Sequence, residues 1–162
     1  MRTGTRTRVA RAVLLLLTIV GLAVAAPSAS AGTFPVTNTN DSGPGSLRQA
    51  ITDADNSSDA SNTIPISATG TIGLQSALPQ ITKSMEIDGP GAASLDFKQS
   101  GHFAGIFDIA VGTTVHISDL TVSGGFGGIS NLGALTLSDV TVTNNHGQND
   151  GGGIFNDIGA RR

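Results

Sequence analysis

One stretch of this sequence occurs twice, and the repeat limits the possible folds more than any other feature. Residues 115–123, Val-His-Ile-Ser-Asp-Leu-Thr-Val-Ser, return 20 positions later as residues 135–143, Leu-Thr-Leu-Ser-Asp-Val-Thr-Val-Thr. Each copy contains two short segments in which apolar and polar residues alternate, which is the pattern of half-buried β-strands. The repeat therefore predicts short strands that recur at a fixed period.

A second repeat supports the same period. Residues 127–131, Gly-Gly-Ile-Ser-Asn, resemble residues 152–156, Gly-Gly-Ile-Phe-Asn, which lie 25 positions later. Residues 84–89, Ser-Met-Glu-Ile-Asp-Gly, resemble an earlier and more degenerate copy of the first repeat. Both offsets describe one coil of about 20 to 25 residues with loop insertions between its strands, the signature of a repeat architecture.

Strand geometry indicates how a repeat of this period folds. A repeat of this length cannot bury its apolar face alone, whereas coils stacked about 4.8 Å apart give every strand a hydrogen-bonded neighbour and build one core. Stacking also places like residues over like, so Asp119 should lie above Asp139. The side chains expected to point inward are Val115, Ile117, Leu120 and Val122, and in the second copy Leu135, Leu137, Val140 and Val142.

Antiparallel hairpins are the competing interpretation of these short strands. Hairpins require tight two-residue turns such as Asn-Gly between their strands, and the repeats contain no such turn. We therefore predict an all-β chain that folds as a right-handed parallel β-helix.

One segment departs from the strand pattern. Ser46 followed by Gln49 fits the capping box that begins a helix, and apolar residues then recur at helical spacing. Gly43-Pro44-Gly45 prevents an earlier start, and a Ser- and Asn-rich loop follows. We predict a short helix over residues 46–54, with an apolar stripe formed by Leu47, Ala50, Ile51 and Ala54.

The N-terminus has the pattern of a secretory signal peptide. Four arginines precede an apolar run over residues 12–26, and the small residues Ala29-Ser30-Ala31 follow. The run is shorter than the ~20 residues that span a bilayer, although an uncleaved N-terminal anchor is the alternative. We place the cleavage after Ala31, which divides the chain into a signal peptide (1–31), an N-terminal segment with the helix (32–62) and the β-helix coils (63–162).

Charge and composition exclude some classes of partner. Four of the nine Lys and Arg residues lie in the signal, so five remain against twelve Asp and Glu, a net charge of −7. Nucleic acid and anionic membrane require a basic surface, so neither is expected as a partner after cleavage. The chain has no Trp or Tyr for stacking on sugar rings, and no Cys for disulfides or thiolate metal sites.

Residues 33–51, Thr-Phe-Pro-Val-Thr-Asn-Thr-Asn-Asp-Ser-Gly-Pro-Gly-Ser-Leu-Arg-Gln-Ala-Ile, resemble the opening segment of secreted bacterial right-handed parallel β-helix proteins. Residues 135–145 and 151–156 resemble the coil repeats of that family. The resemblance implies a pectin-lyase-like solenoid, secreted or on the cell surface, with a helix that caps its first coil. Members usually have many more coils than this sequence holds, and no C-terminal cap follows residue 156, so we expect the chain to be truncated or incomplete as recorded.

The resemblance does not determine an activity, because the family includes lyases, hydrolases, adhesins and structural stalks. Its lyases use a calcium ion held by acidic residues together with an Arg or Lys base. Here the coils offer Lys83 and Lys98, with Asp88, Asp96 and Asp108, but no spacing joins these acids to the lysines. Its hydrolases use Asn-x-Asp and Asp-Asp motifs, and neither occurs in this sequence.

The remaining candidate residues have simpler structural interpretations. Asp119 and Asp139 could bind calcium between coils, yet two carboxylates are too few and a solvated turn explains them. His146 and Asp150 could act as base and acid or as metal ligands, yet a turn between strands explains their polar loop. His116 should face solvent, and His102 has no identifiable partner.

We therefore assign no catalytic, cofactor-binding or metal-binding residue. The sequence favours a secreted, non-catalytic β-helix module that acts as a surface, scaffold or adhesive element, with a polysaccharide or another cell-surface ligand as its partner. End-to-end self-association through the last coil is a further expectation. The alternative is the N-terminal remnant of a polysaccharide lyase or glycoside hydrolase whose catalytic coils are missing.

Overall fold

A computed structural model describes residues 30–99, 105–147 and 151–157. These residues form one α-helix and twelve β-strands, and every strand pair is parallel. In chain order the elements are β1 (Ala31–Thr33), α1 (Leu47–Asn56), β2 (Ser61–Pro65), β3 (Gly70–Leu74), β4 (Met85–Asp88), β5 (Leu95–Gln99), β6 (Phe107–Ile109), β7 (Thr114–Ser118), β8 (Thr121–Ser123), β9 (Ile129–Asn131), β10 (Ala134–Ser138), β11 (Thr141–Thr143) and β12 (Ile154–Asn156).

The described strands form three parallel sheets that the chain visits in rotation. Sheet 1 has the order β1-β2-β4-β7-β10, sheet 2 the order β3-β5-β8-β11, and sheet 3 the order β6-β9-β12. From β4 onward the chain passes through sheet 1, sheet 2 and sheet 3, and then repeats this sequence twice. We call one such passage a circuit. An earlier circuit contains β2 and β3, and Ile81 contributes a parallel bridge to Ile109 of sheet 3.

The register between circuits reproduces both sequence repeats. Ile117 of β7 lies opposite Leu137 of β10, and Val122 of β8 lies opposite Val142 of β11, so the first repeat is the step from one circuit to the next in sheets 1 and 2. Ile129 of β9 lies opposite Ile154 of β12, so the second repeat is the same step in sheet 3. The parallel arrangement predicted from the repeats is confirmed.

The two repeats predict coils of about 20 to 25 residues, but one circuit of the structure is longer. The degenerate copy at residues 84–89 forms β4, as expected, but its Met85 pairs with Val115, which is a longer step than either repeat shows. The additional residues lie in longer connections, such as the one between Asp88 and Leu95. Insertions between strands lengthen a circuit without changing which strands pair.

The core is a set of apolar ladders that run through consecutive circuits. In sheet 1, Ile64, Ile87 and Ile117 are each fully buried and lie opposite one another in adjacent strands. In sheet 2, Phe97 and Val122 form an equivalent buried pair. The two largest fully buried side chains, Phe97 and Phe107, meet edge to face with ring centroids 5.6 Å apart, a favoured aromatic geometry.

The predicted inward positions hold for the first copy of the repeat and only partly for the second. Val115, Ile117, Leu120 and Val122 are fully buried. Their counterparts pack against the same core but remain partly exposed, because they lie in the outermost circuit and no described strand pairs with its far side. These half-covered residues are Leu135, Leu137, Val140 and Val142.

The helix forms as its sequence predicts, with two differences in detail. Ser46 is the N-cap, and its hydroxyl oxygen accepts a hydrogen bond from the Gln49 N–H at 3.3 Å. The return half of the capping box is not formed, because the Gln49 side chain donates to Asp53 instead. The helix also continues beyond the predicted end, to Asn56. The predicted apolar stripe is buried: Leu47, Ala50, Ile51 and Ala54.

Polar contacts fix α1 to the next circuit. Arg48 pairs with Asp41 at 2.7 Å and donates to the carbonyl groups of residues 76 and 77. Near the other end, Asp55 Oδ1 accepts from the backbone N–H groups of residues 82 and 83, both at 3.0 Å. Because α1 follows β1 and precedes β2, which pair with each other, it occupies the place that sheet strands take in later circuits.

Most of the predicted signal peptide, residues 1–29, lies outside the described residues. Ala31, the residue before the predicted cleavage, begins β1 and pairs with Ser61. Among the described residues, no helix is long and apolar enough to cross a membrane.

Alternation along β7 can be tested with two aspartate substitutions. Ile117→Asp should abolish cooperative melting, because an unpaired carboxylate in this dry ladder costs several kcal/mol. Thr114→Asp lies on the same strand at an exposed position and should change the free energy of unfolding by no more than about 0.5 kcal/mol. Circular-dichroism melts of both variants provide the measurement, and similar melting temperatures would contradict the alternation.

Candidate functional site

The outward-facing side chains of the sheets form polar rows that cross successive circuits. On sheet 1 one such row contains Glu86 and His116. On sheet 2 two rows lie side by side and are rich in hydroxyl groups from β8 and β11. The members of these two rows are Thr71, Asp96, Thr121 and Thr141 in the first, and Gly73, Lys98, Ser123 and Thr143 in the second.

The three candidate acids lie on three different sheets. Asp88 belongs to sheet 1, Asp96 to sheet 2 and Asp108 to sheet 3. Each carboxylate accepts a hydrogen bond from a side chain of a neighbouring circuit, so all three hold circuits together. The bonds are Ser118 Oγ to Asp88 Oδ1 (2.7 Å), Ser123 Oγ to Asp96 Oδ2 (2.9 Å) and Gln80 Nε2 to Asp108 Oδ2 (3.1 Å).

The two candidate lysines are also separated. The ammonium group of Lys83 donates a hydrogen bond to the carbonyl oxygen of Ser57, just after α1. Lys98 is exposed on β5, on the same face of the strand as Asp96. Within the described parts of the chain, no group of three or more His, Cys, Asp or Glu residues could hold a metal ion. The arrangement places Asp96 and Lys98 on one face of β5, but neither Asp88 nor Asp108 shares a sheet with them.

Asp119 and Asp139 stand at the bends that lead from sheet 1 to sheet 2. Their φ angles are 56° and 53°, in the left-handed region that Asp, Asn and Gly tolerate best. In the preceding circuit the same place is taken by Gly89, where a Cβ would clash with the Asp119 carbonyl oxygen. The positive φ of Asp119 and Asp139 supports the turn interpretation, whereas Gly89 is required by the close approach of the Asp119 backbone.

The polar loop after β11 binds the circuit beneath it. Asn144 has a φ of 53°, which makes it a turn residue as expected. The side chain of Asn145 accepts from the Gly125 N–H and donates to the Val122 carbonyl, both at 2.9 Å. His146 is exposed and uses its backbone N–H to bond Gly125 at 2.8 Å, whereas Asp150 lies outside the described residues. Sequence reasoning missed the bridging role of Asn145.

His116 lies beside a carboxylate at the surface of sheet 1. His116 faces outward as predicted, with Nδ1 3.6 Å from Glu86 Oε1, and both side chains are well exposed. A contact between two such exposed side chains contributes little to stability. His102 lies outside the described residues.

An interior asparagine pair is a second feature that the sequence reasoning missed. Asn131 is buried in sheet 3, and its Nδ2 donates to Asn156 Oδ1 at 2.6 Å and to the Gly133 carbonyl at 3.2 Å. Its Oδ1 accepts from the Gly133 N–H at 3.1 Å. The second sequence repeat contained the signal, because it places an Asn at the same position in both copies.

The loop before β2 contains a carboxyl group with a shifted pKa. Hydrogen bonds from the hydroxyl groups of Ser57 and Ser30 lower the pKa of Asp59. On β5, Asp96 Oδ1 and Gln99 Nε2 are both buried without a described hydrogen-bond partner. Asp96 points outward and Gln99 inward, so these two atoms do not face a common ligand.

Comparison with known proteins returned no relative. No protein-family model, no curated protein and no solved structure matches this chain. A function must therefore be inferred from the residues themselves.

The turn role of Asp119 can be separated from a calcium role. Asp119→Asn keeps a residue that tolerates positive φ and should leave the free energy of unfolding within about 0.5 kcal/mol of the wild type. Asp119→Val should lose about 1–2 kcal/mol, because a β-branched residue is strained in the left-handed region. Thermal melts with calcium or with a chelator provide the control. If calcium raised the melting temperature of the wild type but not that of Asp119→Asn, Asp119 would be a metal ligand.

Proposed function

We propose that this chain is a secreted β-helix module that acts as a non-catalytic scaffold or adhesive element at a bacterial surface. The observation that carries the proposal is the use of outward polar side chains as ties between circuits. The carboxylates of Asp88, Asp96 and Asp108 each accept a hydrogen bond from a neighbouring circuit. Their role in the fold is accounted for without chemistry.

The rotation through three parallel sheets supports a right-handed parallel β-helix of the pectin-lyase-like kind. Successive strands of sheet 1, such as β4 and β7, are parallel and joined through sheets 2 and 3. Crossovers between parallel strands of one sheet are right-handed almost without exception, because the strand twist favours that hand. The opening segment at residues 33–51 supports the same family.

The separation of the three candidate acids supports a non-catalytic role. General acid–base catalysis requires two groups within hydrogen-bonding reach of one substrate, and glycoside hydrolysis requires two carboxylates on either side of one bond. Asp88, Asp96 and Asp108 belong to separate sheets of the molecule. A stack with regular polar rows suits a surface that holds other molecules at fixed positions.

The outer face of sheet 2 is the best candidate for an adhesive surface. Thr121, Thr141 and Thr143 carry hydroxyl groups on two adjacent strands, about 4.8 Å apart across the sheet, and Thr141 and Thr143 are exposed. Such an array can form many weak hydrogen bonds to a hydroxyl-rich polymer, and many weak contacts on one chain add up to useful avidity.

Incubation with a panel of acidic and neutral polysaccharides tests both halves of this proposal. We expect the protein to co-sediment with at least one insoluble polysaccharide and to release no soluble fragments from any of them. The double variant Thr141→Val and Thr143→Val keeps the side-chain shape and removes two exposed hydroxyl groups, so it should bind more weakly with an unchanged melt. Released oligosaccharides would favour the enzyme alternative, and a lack of binding to every polymer would remove the adhesive role.

A further inference from the structure

The strand β1 contains the peptide bond at which we predict the signal peptide to be cut. This bond joins Ala31 to Gly32, the first two residues of the strand. Cleavage there removes the pair between Ala31 and Ser61, whereas Gly32 and Thr33 keep their partners on β2. The new N-terminus is therefore held at a defined place in sheet 1.

Two side-chain oxygen atoms converge on Gly32 from β2 and from the loop before it. A methyl group added to the Cα atom of Gly32 would lie 2.7 Å from Asp59 Oδ2 and 2.8 Å from Asn62 Oδ1. Both distances are too short for a carbon atom, so a side chain does not fit here. They match hydrogen bonds from a charged nitrogen, which are about 2.7–2.9 Å long. The space beside Gly32 therefore suits an ammonium nitrogen.

One of these two oxygen atoms lacks a donor. Asn62 is fully buried, and its Nδ2 atom donates to the carbonyl oxygen of Ala54 at 3.0 Å. Its Oδ1 atom has no hydrogen-bond partner in the described part of the chain. Buried polar atoms in folded proteins nearly always have a partner. The Oδ1 atom of Asn62 thus points to a donor that arrives from elsewhere.

The other oxygen atom belongs to a carboxylate that loses a donor on cleavage. Asp59 accepts hydrogen bonds from the hydroxyl groups of Ser57, at 2.7 Å, and of Ser30. The backbone carbonyl of Ser30 also accepts from the Ala60 N–H at 3.2 Å. Cleavage after Ala31 removes Ser30 and both of these contacts, so the loop before β2 needs a replacement for them.

The nitrogen atom of Gly32 can reach both oxygen atoms once the chain is cut. It is then attached only to its own Cα atom, and rotation about the Cα–C bond carries it to the position of the missing methyl group. Glycine permits this rotation because it has no Cβ atom. The Phe34 ring, whose Cε2 atom lies 2.7 Å from the same point, is only partly buried and can turn aside.

We propose that removal of the signal peptide creates a charge pair at the start of β1, in which the α-ammonium group of Gly32 binds the Asp59 carboxylate and Asn62 Oδ1. The inference rests on the export that is part of the proposed function. The ammonium group replaces the hydroxyl donor lost with Ser30 and supplies the donor that Asn62 lacks. The uncut chain cannot form this pair, so the contacts that hold the start of β1 depend on processing.

Melting temperatures with and without the charge test the proposal. The full chain is exported from a bacterial host, and mass spectrometry identifies the first residue, which we expect to be Gly32. The α-amine is then acetylated in denaturant at mildly acidic pH, where it reacts before lysine, and the protein is refolded beside a mock-treated sample. Acetylation should lower the melting temperature by about 3 °C or more. Asp59→Asn should abolish this difference, whereas the control Asp53→Asn, at an exposed position of α1, should retain it.

A titration of the untreated protein gives a second measurement that does not depend on refolding. The Asp59 carboxylate favours the charged form of a neighbouring amine, and the ammonium group of Lys83, which also acts on Asp59, opposes this effect. We expect NMR to place the pKa of the Gly32 α-amine above the ordinary range of about 7.7–8.0, and to show its return to that range in Asp59→Asn. A wild-type value within the ordinary range would overturn the proposal.

Failure of this inference is distinguishable from failure of the proposed function. An exported chain that begins at another residue, or equal effects of acetylation in the wild type and Asp59→Asn, would overturn the charge pair and leave a secreted scaffold in place. A chain that is not exported would overturn both. Polysaccharide binding tests the scaffold role separately, because the hydroxyl rows lie on sheet 2 and Gly32 on sheet 1.

Discussion

Backbone hydrogen bonds between parallel strands hold successive circuits one strand spacing apart, and this in-register stacking determines the rest of the structure. Each side chain lies over a counterpart from the preceding circuit, as in the ladder of Ile64, Ile87, Ile117 and Leu137. The core is therefore built one strand at a time, from residues that are far apart in sequence and alike in character. Its coverage depends on neighbours along the stack, which explains why Ile117 is fully buried and Leu137 only partly so.

The same constraint organises the polar groups. A hydroxyl group on one circuit stands beside a carboxylate on the next, as Ser118 does for Asp88, and the two form a bond between circuits. The interior Asn131 finds its partner in Asn156, an asparagine at the same position one circuit later. Polar side chains thus act along the stack, and groups on different sheets stay apart. This arrangement supports the proposed scaffold role, because stacking repeats the same outer surface from one circuit to the next.

Much of this fold can be predicted from the sequence, since the repeats give strand positions, register and the direction of each side chain. The helix is equally predictable, because Ser46 and the apolar stripe from Leu47 to Ala54 are local signals. Contacts made by the loops between strands are not predictable in this way, because the repeats do not determine how long each loop is. The bridge from Asn145 to Gly125 and the longer step from Met85 to Val115 both involve connections of variable length. The candidate acids Asp88, Asp96 and Asp108 could be named from the sequence, but only the sheet assignments show that they lie apart.

Engineered disulfides measure the in-register stacking most directly, because the chain contains no cysteine of its own. Thr121 and Thr141 are Cα partners on the outer face of sheet 2, so the pair Thr121→Cys and Thr141→Cys should place its Cα atoms within the range of a disulfide. In the control pair, Thr121→Cys and Thr143→Cys, the second cysteine lies further along β11, about 8 Å away and beyond disulfide reach. Under mild oxidation, quantitative thiol loss in the first pair and little in the second is the predicted result. Equal oxidation of both pairs, or preferential oxidation of the control pair, would contradict the stacked register.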